Sequence, residues 1–371
     1  MNNNCNISQL ALQGVQDLVP YKAGKPIDEL ERELGLTEIV KLASNENPLG
    51  PSPKVIKAIQ TALPELSRYP DGNGFALKTA LAKKLNISMD QITLGNGSNE
   101  ILELVARTFL EPGLEAVFSQ HAFAVYPLVT QAAGAVVKVA PALNYGHDLD
   151  AMLALVNKNT RLVFIANPNN PTGTLLLSSA LKQFINALPK TVMCVLDEAY
   201  FEFVTADDSA DSLTWLIECP NLMITRTFSK AYGLAGLRVG YSISSAEIAD
   251  LLNRVRQPFN NNMLALAAAE AALTDKAYLA KTIAANSQGM EQLTSAFKEM
   301  GLSWITSFGN FVSVDLKQAG VPIYEALLKK GVIVRPVANY EMPNYLRISI
   351  GTEQENQFFI DAFKQVMATS K

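Results

Sequence analysis

Thr227-Phe228-Ser229-Lys230-Ala231-Tyr232-Gly233-Leu234-Ala235-Gly236-Leu237-Arg238 is the stretch on which the reading of this chain turns. It sets a lysine, an adjacent hydroxyl and an arginine eight positions later in a segment of small residues behind an apolar run. A lysine amine condenses with an aldehyde. A serine hydroxyl and the planar donor fork of an arginine hold a phosphate. The grouping suits a cofactor that carries both an aldehyde and a phosphate. In isolation, Ser229-Lys230 would read as a surface loop, and two motifs upstream change that.

The first is Asn167-Pro168-Asn169-Asn170-Pro171-Thr172-Gly173, which follows the apolar run Arg161-Leu162-Val163-Phe164-Ile165-Ala166. The run reads as a buried strand, and the Pro and Gly residues end it in a tight turn. Asn170 then lies just beyond the carboxyl end of a strand, where ligands bind in open α/β sheets. The second is Asp197-Glu198-Ala199-Tyr200, behind Thr191-Val192-Met193-Cys194-Val195-Leu196. A carboxylate at the end of a buried strand needs a partner, because leaving it unpaired costs several kcal/mol. A protonated pyridine nitrogen is such a partner, and the carboxylate in turn favours that nitrogen's charge. Taken singly, the first motif is a plain Asn-Pro turn and Asp197 a turn cap.

Together the motifs specify pyridoxal 5′-phosphate. Asp197 keeps the ring cationic, Lys230 holds the aldehyde and moves a proton, and Asn170 and Tyr200 donate to the ring's phenolate oxygen. Ser229 and Arg238 anchor the phosphate. On these residues, and on spacings of 27 between Asn170 and Asp197 and 33 between Asp197 and Lys230, the chain resembles the fold-type I, class I/II aminotransferases. Within them it is similar to the histidinol-phosphate branch. The resemblance runs from about Leu18 to the last helix. It implies a large domain with a mainly parallel sheet flanked by helices, and a smaller α+β carboxyl-terminal domain. It also implies transamination between L-histidinol phosphate and 2-oxoglutarate.

The bulk properties agree. A chain of 371 residues suggests two domains. With 49% apolar and 18% charged residues it reads as globular. A net charge of −4 leaves no electrostatic footprint for nucleic acid. Cys5, Cys194 and Cys219 lack metal spacing and leave an odd count, which points to a reducing compartment, the cytoplasm. His121 and His147 are too few for a histidine metal site, and no metal is expected. The first residues carry no signal-peptide pattern, and no apolar stretch approaches the ~18 residues of a membrane span.

The order of elements is an arm over 1–50, a large cofactor-binding α/β domain over 51–257 and a small α+β domain over 258–371. Helical periodicity covers 27–34, 53–63, 74–85 and 99–110. Strands over 116–119, 136–139, 162–166, 192–197, 222–225 and 239–243 alternate with helices over 123–134 and 178–188, as in a mainly parallel sheet. Helices over 247–257, 263–273 and 278–300 follow. Strands over 303–306, 311–316, 332–334 and 346–350 and a helix over 353–367 close the chain.

Gly95-Asn96-Gly97-Ser98-Asn99-Glu100 opens a helix whose free amides and positive dipole end form an anion site. It is equally a good amino-terminal cap. The resemblance gives Ser98 and Asn99 the cofactor phosphate, although many relatives carry aspartate at the latter position. It also makes Phe123 the aromatic ring stacked on the pyridine, where many relatives have tyrosine; core packing of Phe123 and Tyr126 is the alternative. Tyr69 would reach across a homodimer to the partner's cofactor phosphate. Arg335 and Arg347, each on an apolar strand, would bind the substrate phosphate with help from Tyr21. The segment 44–48 would line the entrance, with Asn45 the contact. Competing readings are an aromatic amino acid aminotransferase, a phosphothreonine-type decarboxylase and, well behind, a ligand-sensing module of a DNA-binding protein.

Overall fold

The computed structural model describes residues 6–21, 24–204 and 211–369. At its centre are the two uninterrupted apolar runs, now the strands Thr160–Ala166 and Met193–Asp197. They lie side by side and parallel, Ala166 opposite Asp197. A strand buried on both faces needs apolar side chains at every position. Here Leu162, Phe164, Met193 and Val195 enter one core, and Val163, Ile165, Cys194 and Leu196 enter the other.

The sheet has seven strands, in the order Ile92–Gly95, Gly240–Ile243, Leu222–Thr227, Met193–Asp197, Thr160–Ala166, Glu115–Ser119, Val136–Ala140. Only Gly240–Ile243 runs antiparallel to its neighbours. Helices Ser98–Phe109, Val125–Ala132 and Ala246–Val255 cover one face. Helices Pro53–Ala62, Phe75–Leu85, Ser178–Ala187 and Met263–Thr274 pack into the core on the other. This is the expected α/β arrangement of a mainly parallel sheet between helices.

The carboxyl ends at Gly95, Ala166, Asp197 and Thr227 share one edge. The loops leaving that edge carry Ser98, Asn170, Tyr200 and Lys230. It is the edge at which an open α/β sheet binds its ligand.

A second, four-stranded antiparallel sheet has the order Ser303–Ile305, Phe311–Asp315, Tyr345–Ser349, Arg335–Pro336. Helices Lys276–Glu299, Gly320–Leu328 and Glu353–Thr369 cover it around Phe297, Phe359 and Phe363. Two features extend across the linear division of the chain. Helix Met263–Thr274 gives Ala265, Ala268, Ala269 and Ala272 to the large core, so the packing changes from one core to the other along Lys276–Glu299, later than position 258. The amino-terminal stretch is tied down: Val40–Lys41 pairs in parallel with Val332–Ile333, and Leu42 enters the small core.

The short hairpin Ala142–Leu143/Gly146–His147 was not legible in the sequence. Its turn residues Asn144 and Tyr145 both have positive φ, and a tyrosine there gives no turn signal. Among the described residues no helix is long and apolar enough to cross a membrane, and no group of three or more His, Cys, Asp or Glu could hold a metal ion.

Candidate active site

A cavity of about 360 Å³ opens where the two sheets meet. It is lined by Tyr21, Asn45, Ser98, Asn99, Phe123, Asn170, Asp197, Tyr200, Ser229, Lys230, Arg238, Arg335 and Arg347. Of the residues singled out in the sequence, Tyr69 alone lies elsewhere. Its side chain is 81% exposed and stacks on Phe259, with ring centroids 4.7 Å apart.

One end of the cavity is built for a phosphate. Gly97 precedes the helix Ser98–Phe109 with φ +73°, and a Cβ there would lie 2.3 Å from Nη2 of Arg238. The Arg238 guanidinium therefore lies over the start of the helix, where backbone amides and the dipole already favour an anion. Nη1 of Arg238 donates to Oγ of Ser229 at 3.3 Å and to the Ala235 carbonyl at 3.0 Å.

The amine and the carboxylate stand in the same cavity. Nζ of Lys230 donates to the Ser44 carbonyl at 3.1 Å. Burial, followed by the nearby Arg347, lowers this amine to about 8. Asp197 ends its strand on the face that carries Met193 and Val195, as the two-residue period dictates. Its Oδ2 accepts from the Tyr126 hydroxyl at 2.9 Å, and its Oδ1 from Thr225 at 3.1 Å. Burial pushes the Asp197 carboxyl up, and the bonds from Tyr126, Thr225 and the Ala199 amide oppose that rise. Glu198 turns to the opposite side, where it accepts from Ser212 at 2.6 Å and pairs with Arg226 at 2.8 Å. The next-door acidic residues thus do different work, because alternation sends them to different faces.

The far wall carries the remaining polar groups. Arg347 is 6% exposed. Its Nη1 donates to Oδ1 of Asn170 at 2.5 Å and its Nη2 to the Ala43 carbonyl at 2.6 Å, while Nε is buried with no hydrogen-bond partner among the described residues. Burial lowers its pKa. Arg335 faces it in register, with its guanidinium 5.6 Å from the Tyr21 ring centroid. Asn45 has φ +53° and joins the two units: its amide donates to the Tyr200 hydroxyl at 2.9 Å, and its backbone N–H to Oγ of Ser349 at 2.7 Å. Burial raises the Tyr200 hydroxyl to about 12, so it stays protonated and able to donate.

Lys230, Arg238, Arg335 and Arg347 outnumber the acidic Asp197 and Glu46 on the cavity wall, so the space favours anionic ligands. Pyridoxal 5′-phosphate fits these residues: a phosphate cradle at Gly97, Ser229 and Arg238, an amine of lowered basicity, and a buried carboxylate are all present in one cavity. Tyr126 and Thr225 were missed as parts of this site. Tyr126 stands three positions after Phe123, which would share a face of the helix expected over 123–134, and that spacing was the available signal; the helix itself begins at Val125 and Phe123 precedes it. Thr225 has no local signal; only the register opposite Asp197 brings it in. The Ala43 and Ser44 carbonyls are backbone groups and invisible to side-chain pattern.

Comparison with known proteins agrees with this geometry. The family model for aminotransferase class I and II matches residues 37–363. The chain is 60% identical over 365 residues to histidinol-phosphate aminotransferase 2 of Pseudomonas fluorescens (strain Pf0-1), covering 98% of this chain and 99% of that one. It is 55% identical over 361 residues to histidinol-phosphate aminotransferase 1 of Idiomarina loihiensis, covering 97% and 98%. Among solved structures, histidinol-phosphate aminotransferase from Sinorhizobium meliloti in complex with pyridoxal-5′-phosphate superposes with a TM-score of 0.91 at 30% identity, covering 97% of this chain and 98% of that one. With its motifs, its fold and its full-length relatives in agreement, this chain belongs to the class I and II aminotransferase family.

Proposed function

We propose that this protein is a histidinol-phosphate aminotransferase, which moves the amino group of L-histidinol phosphate to 2-oxoglutarate and so serves histidine biosynthesis. The observation that carries the reading is the pair Arg335 and Arg347, held opposite one another on the wall of the cavity that contains Lys230. Two guanidinium groups beside a reactive amine suit a substrate that carries a phosphate at one end and an amine at the other.

When bound, pyridoxal 5′-phosphate supplies an aldehyde for the amino group and a protonated ring that withdraws electrons from the reacting carbon. The protein does the rest. Ser98, Asn99, Ser229 and Arg238 hold the cofactor phosphate, and Phe123 covers a ring face. Asp197 keeps the ring nitrogen protonated, because an ionised carboxylate in a buried site stabilises a neighbouring positive charge. Asn170 and Tyr200 donate to the ring oxygen. Nζ of Lys230 takes the proton from the substrate's α-carbon and returns it one position along; an amine lowered to about 8 changes protonation easily near neutral pH. Arg335, Arg347 and Tyr21 bind the substrate phosphate, and Arg347 also meets a carboxylate of 2-oxoglutarate. Asn45 holds Tyr200 at the entrance.

The enzyme works as a homodimer in the cytoplasm, Tyr69 of each subunit reaching the other's cofactor phosphate. The exposure of Tyr69, with Leu63, Leu66 and Phe75 also exposed nearby in the chain, supports this. The division into a cofactor-binding unit over 51–257, whose core helix Met263–Thr274 completes, and a smaller carboxyl-terminal unit is functional: the first holds Lys230 and Asp197, and the second Arg335 and Arg347.

The test is a half-reaction. Cofactor-loaded protein is mixed with L-histidinol phosphate or L-phenylalanine, without a keto acid, and the cofactor absorbance is followed. A far higher apparent second-order rate constant for histidinol phosphate is expected. Equal or faster reaction with phenylalanine would make this a broad aromatic aminotransferase and remove the role given to Arg335.

A further inference from the structure

Tyr126 belongs by position to the hydrophobic core. It is 0% exposed, on the first turn of Val125–Ala132, its ring stacked on Phe164 at 4.8 Å and 8° and set edge-on to Phe123 at 5.8 Å and 85°. A phenylalanine would satisfy those ring contacts. A buried tyrosine brings in a hydroxyl that must be matched by an acceptor, and here the acceptor is Oδ2 of Asp197.

Besides the Ala199 amide, the two oxygens of Asp197 are held by side-chain donors from different elements. Tyr126 on a helix holds Oδ2, and Thr225 on the adjacent strand holds Oδ1. A single donor leaves a carboxylate free to turn about its terminal torsion, which is broad for aspartate. Two donors on opposite oxygens fix its plane. Burial keeps the Tyr126 hydroxyl protonated, so it remains a donor. The same segment also carries Phe123, which lines the cavity.

We infer that Tyr126 is a positioning residue for the cofactor: with Thr225, its hydroxyl holds the Asp197 carboxylate in the one orientation that meets the ring nitrogen. This rests on the assignment of Asp197 to that nitrogen. The titratable groups facing Asp197 are Tyr126, Tyr200 and Lys230; Glu198, next in the chain, points to the opposite side and acts on it by its charge. A hydrogen bond donated to a carboxylate favours its charged form. Loss of the Tyr126 hydroxyl therefore lets Asp197 keep its proton to higher pH, where it no longer supports a protonated ring.

The experiment titrates full-length apoprotein with pyridoxal 5′-phosphate and reads bound cofactor by fluorescence, for wild type and Tyr126→Phe, across pH. Taking the ratio of the two dissociation constants cancels the pH dependence of Lys230, which both proteins share. The ratio should be about tenfold at the acid end of the profile, the size of one hydrogen bond to a charged group. It should shrink to within about threefold as the pH rises and Asp197 ionises in both proteins. An unchanged dissociation constant overturns the inference, and so does a weakening of equal size at every pH, which would mark a packing role. Asp197→Asn is run alongside. If it binds as tightly as wild type, the assignment of Asp197 fails and this inference fails with it. If it binds weakly while Tyr126→Phe does not, only the role of Tyr126 is lost. Should Tyr126→Phe fail to fold, Thr225→Val, which removes the other side-chain donor, is judged by the same pH-dependent ratio.

Discussion

Arg335 lies directly opposite Arg347 across the antiparallel strands Arg335–Pro336 and Tyr345–Ser349. Paired residues in such a ladder present their side chains to the same face, and like charges placed this way repel. Arg347 feels that repulsion in addition to its burial. Nearby lie neutral acceptors, the Asn170 amide oxygen and the Ala43 carbonyl, and the Tyr21 ring. The two acceptors of Arg347 carry no negative charge. A substrate phosphate seated between the two guanidinium groups would relieve the repulsion.

Replacing Arg335 by glutamine should therefore lower kcat/KM for L-histidinol phosphate by about 10- to 100-fold, mainly through KM, the range expected for one charge-assisted pair. Reaction with L-phenylalanine, which has no phosphate, should change by less than about threefold. Steady-state kinetics with both substrates check this. Equal losses for the two would place Arg335 in the scaffold and not in the phosphate subsite.

Lys230→Ala should reduce turnover by about a thousandfold or more, the scale of losing a positioned proton carrier. It should also abolish the covalent link between protein and cofactor that borohydride reduction traps in the wild type. Mass spectrometry of the reduced protein reads the second outcome independently of activity. A trapped adduct in the variant would point to another lysine.

The pH dependence of cofactor capture follows from the same residue. Burial lowers the Lys230 amine to about 8, so it is protonated below that value and a neutral nucleophile above it. The rate at which apoprotein captures pyridoxal 5′-phosphate should rise with pH and level off above about 8. Stopped-flow absorbance gives the profile. A rate still climbing toward the ordinary lysine value of about 10.4 would show that the amine is not desolvated.

The Glu198–Arg226 pair is buried, with side chains 4% and 5% exposed, and Arg226 also lies 3.9 Å from the Phe201 ring centroid. Arg226→Met should destabilise the protein by about 3–5 kcal/mol, because Glu198 is left charged and unpaired. The double variant Glu198→Gln/Arg226→Met should recover part of that loss. Urea denaturation of wild type, Glu198→Gln, Arg226→Met and the double variant measures both. Additive losses would show that the two side chains do not depend on one another.

Gly97→Ala places a Cβ against the Arg238 guanidinium at a φ that L-residues adopt with strain. The Cβ would push the guanidinium off the start of the helix, so cofactor affinity should fall about tenfold through the phosphate end, the size of one charge-assisted hydrogen bond. Competition by inorganic phosphate for the apoprotein should weaken in parallel. If cofactor affinity drops while phosphate competition holds, Gly97 acts elsewhere than on the phosphate cradle.

Much of this protein can be read along the chain. The apolar runs ending at Ala166 and Leu196, the turn at Asn167–Gly173 and the small-residue segment around Lys230 are local patterns, because strand ends and tight turns depend on neighbouring residues. Those patterns alone determined the α/β class, the cofactor chemistry and the cavity residues Asn170, Asp197, Tyr200, Ser229, Lys230 and Arg238; the others came from the resemblance to the aminotransferases. What they left open was decided by contacts between distant segments. Opposite faces of one strand separate Asp197, in the cavity, from Glu198, paired with Arg226. Register brings Thr225 beside Asp197 and Arg335 beside Arg347. Packing sends helix Met263–Thr274 to the large core and Val40–Lys41 to the small one. Tyr126 looks like one more aromatic of the core until Asp197, 71 positions away, accepts its hydroxyl bond. Local sequence sets which conformations each segment favours. Which segments meet is settled by the joint burial of their apolar faces and the pairing of every polar group buried with them, and those conditions are satisfied only in three dimensions.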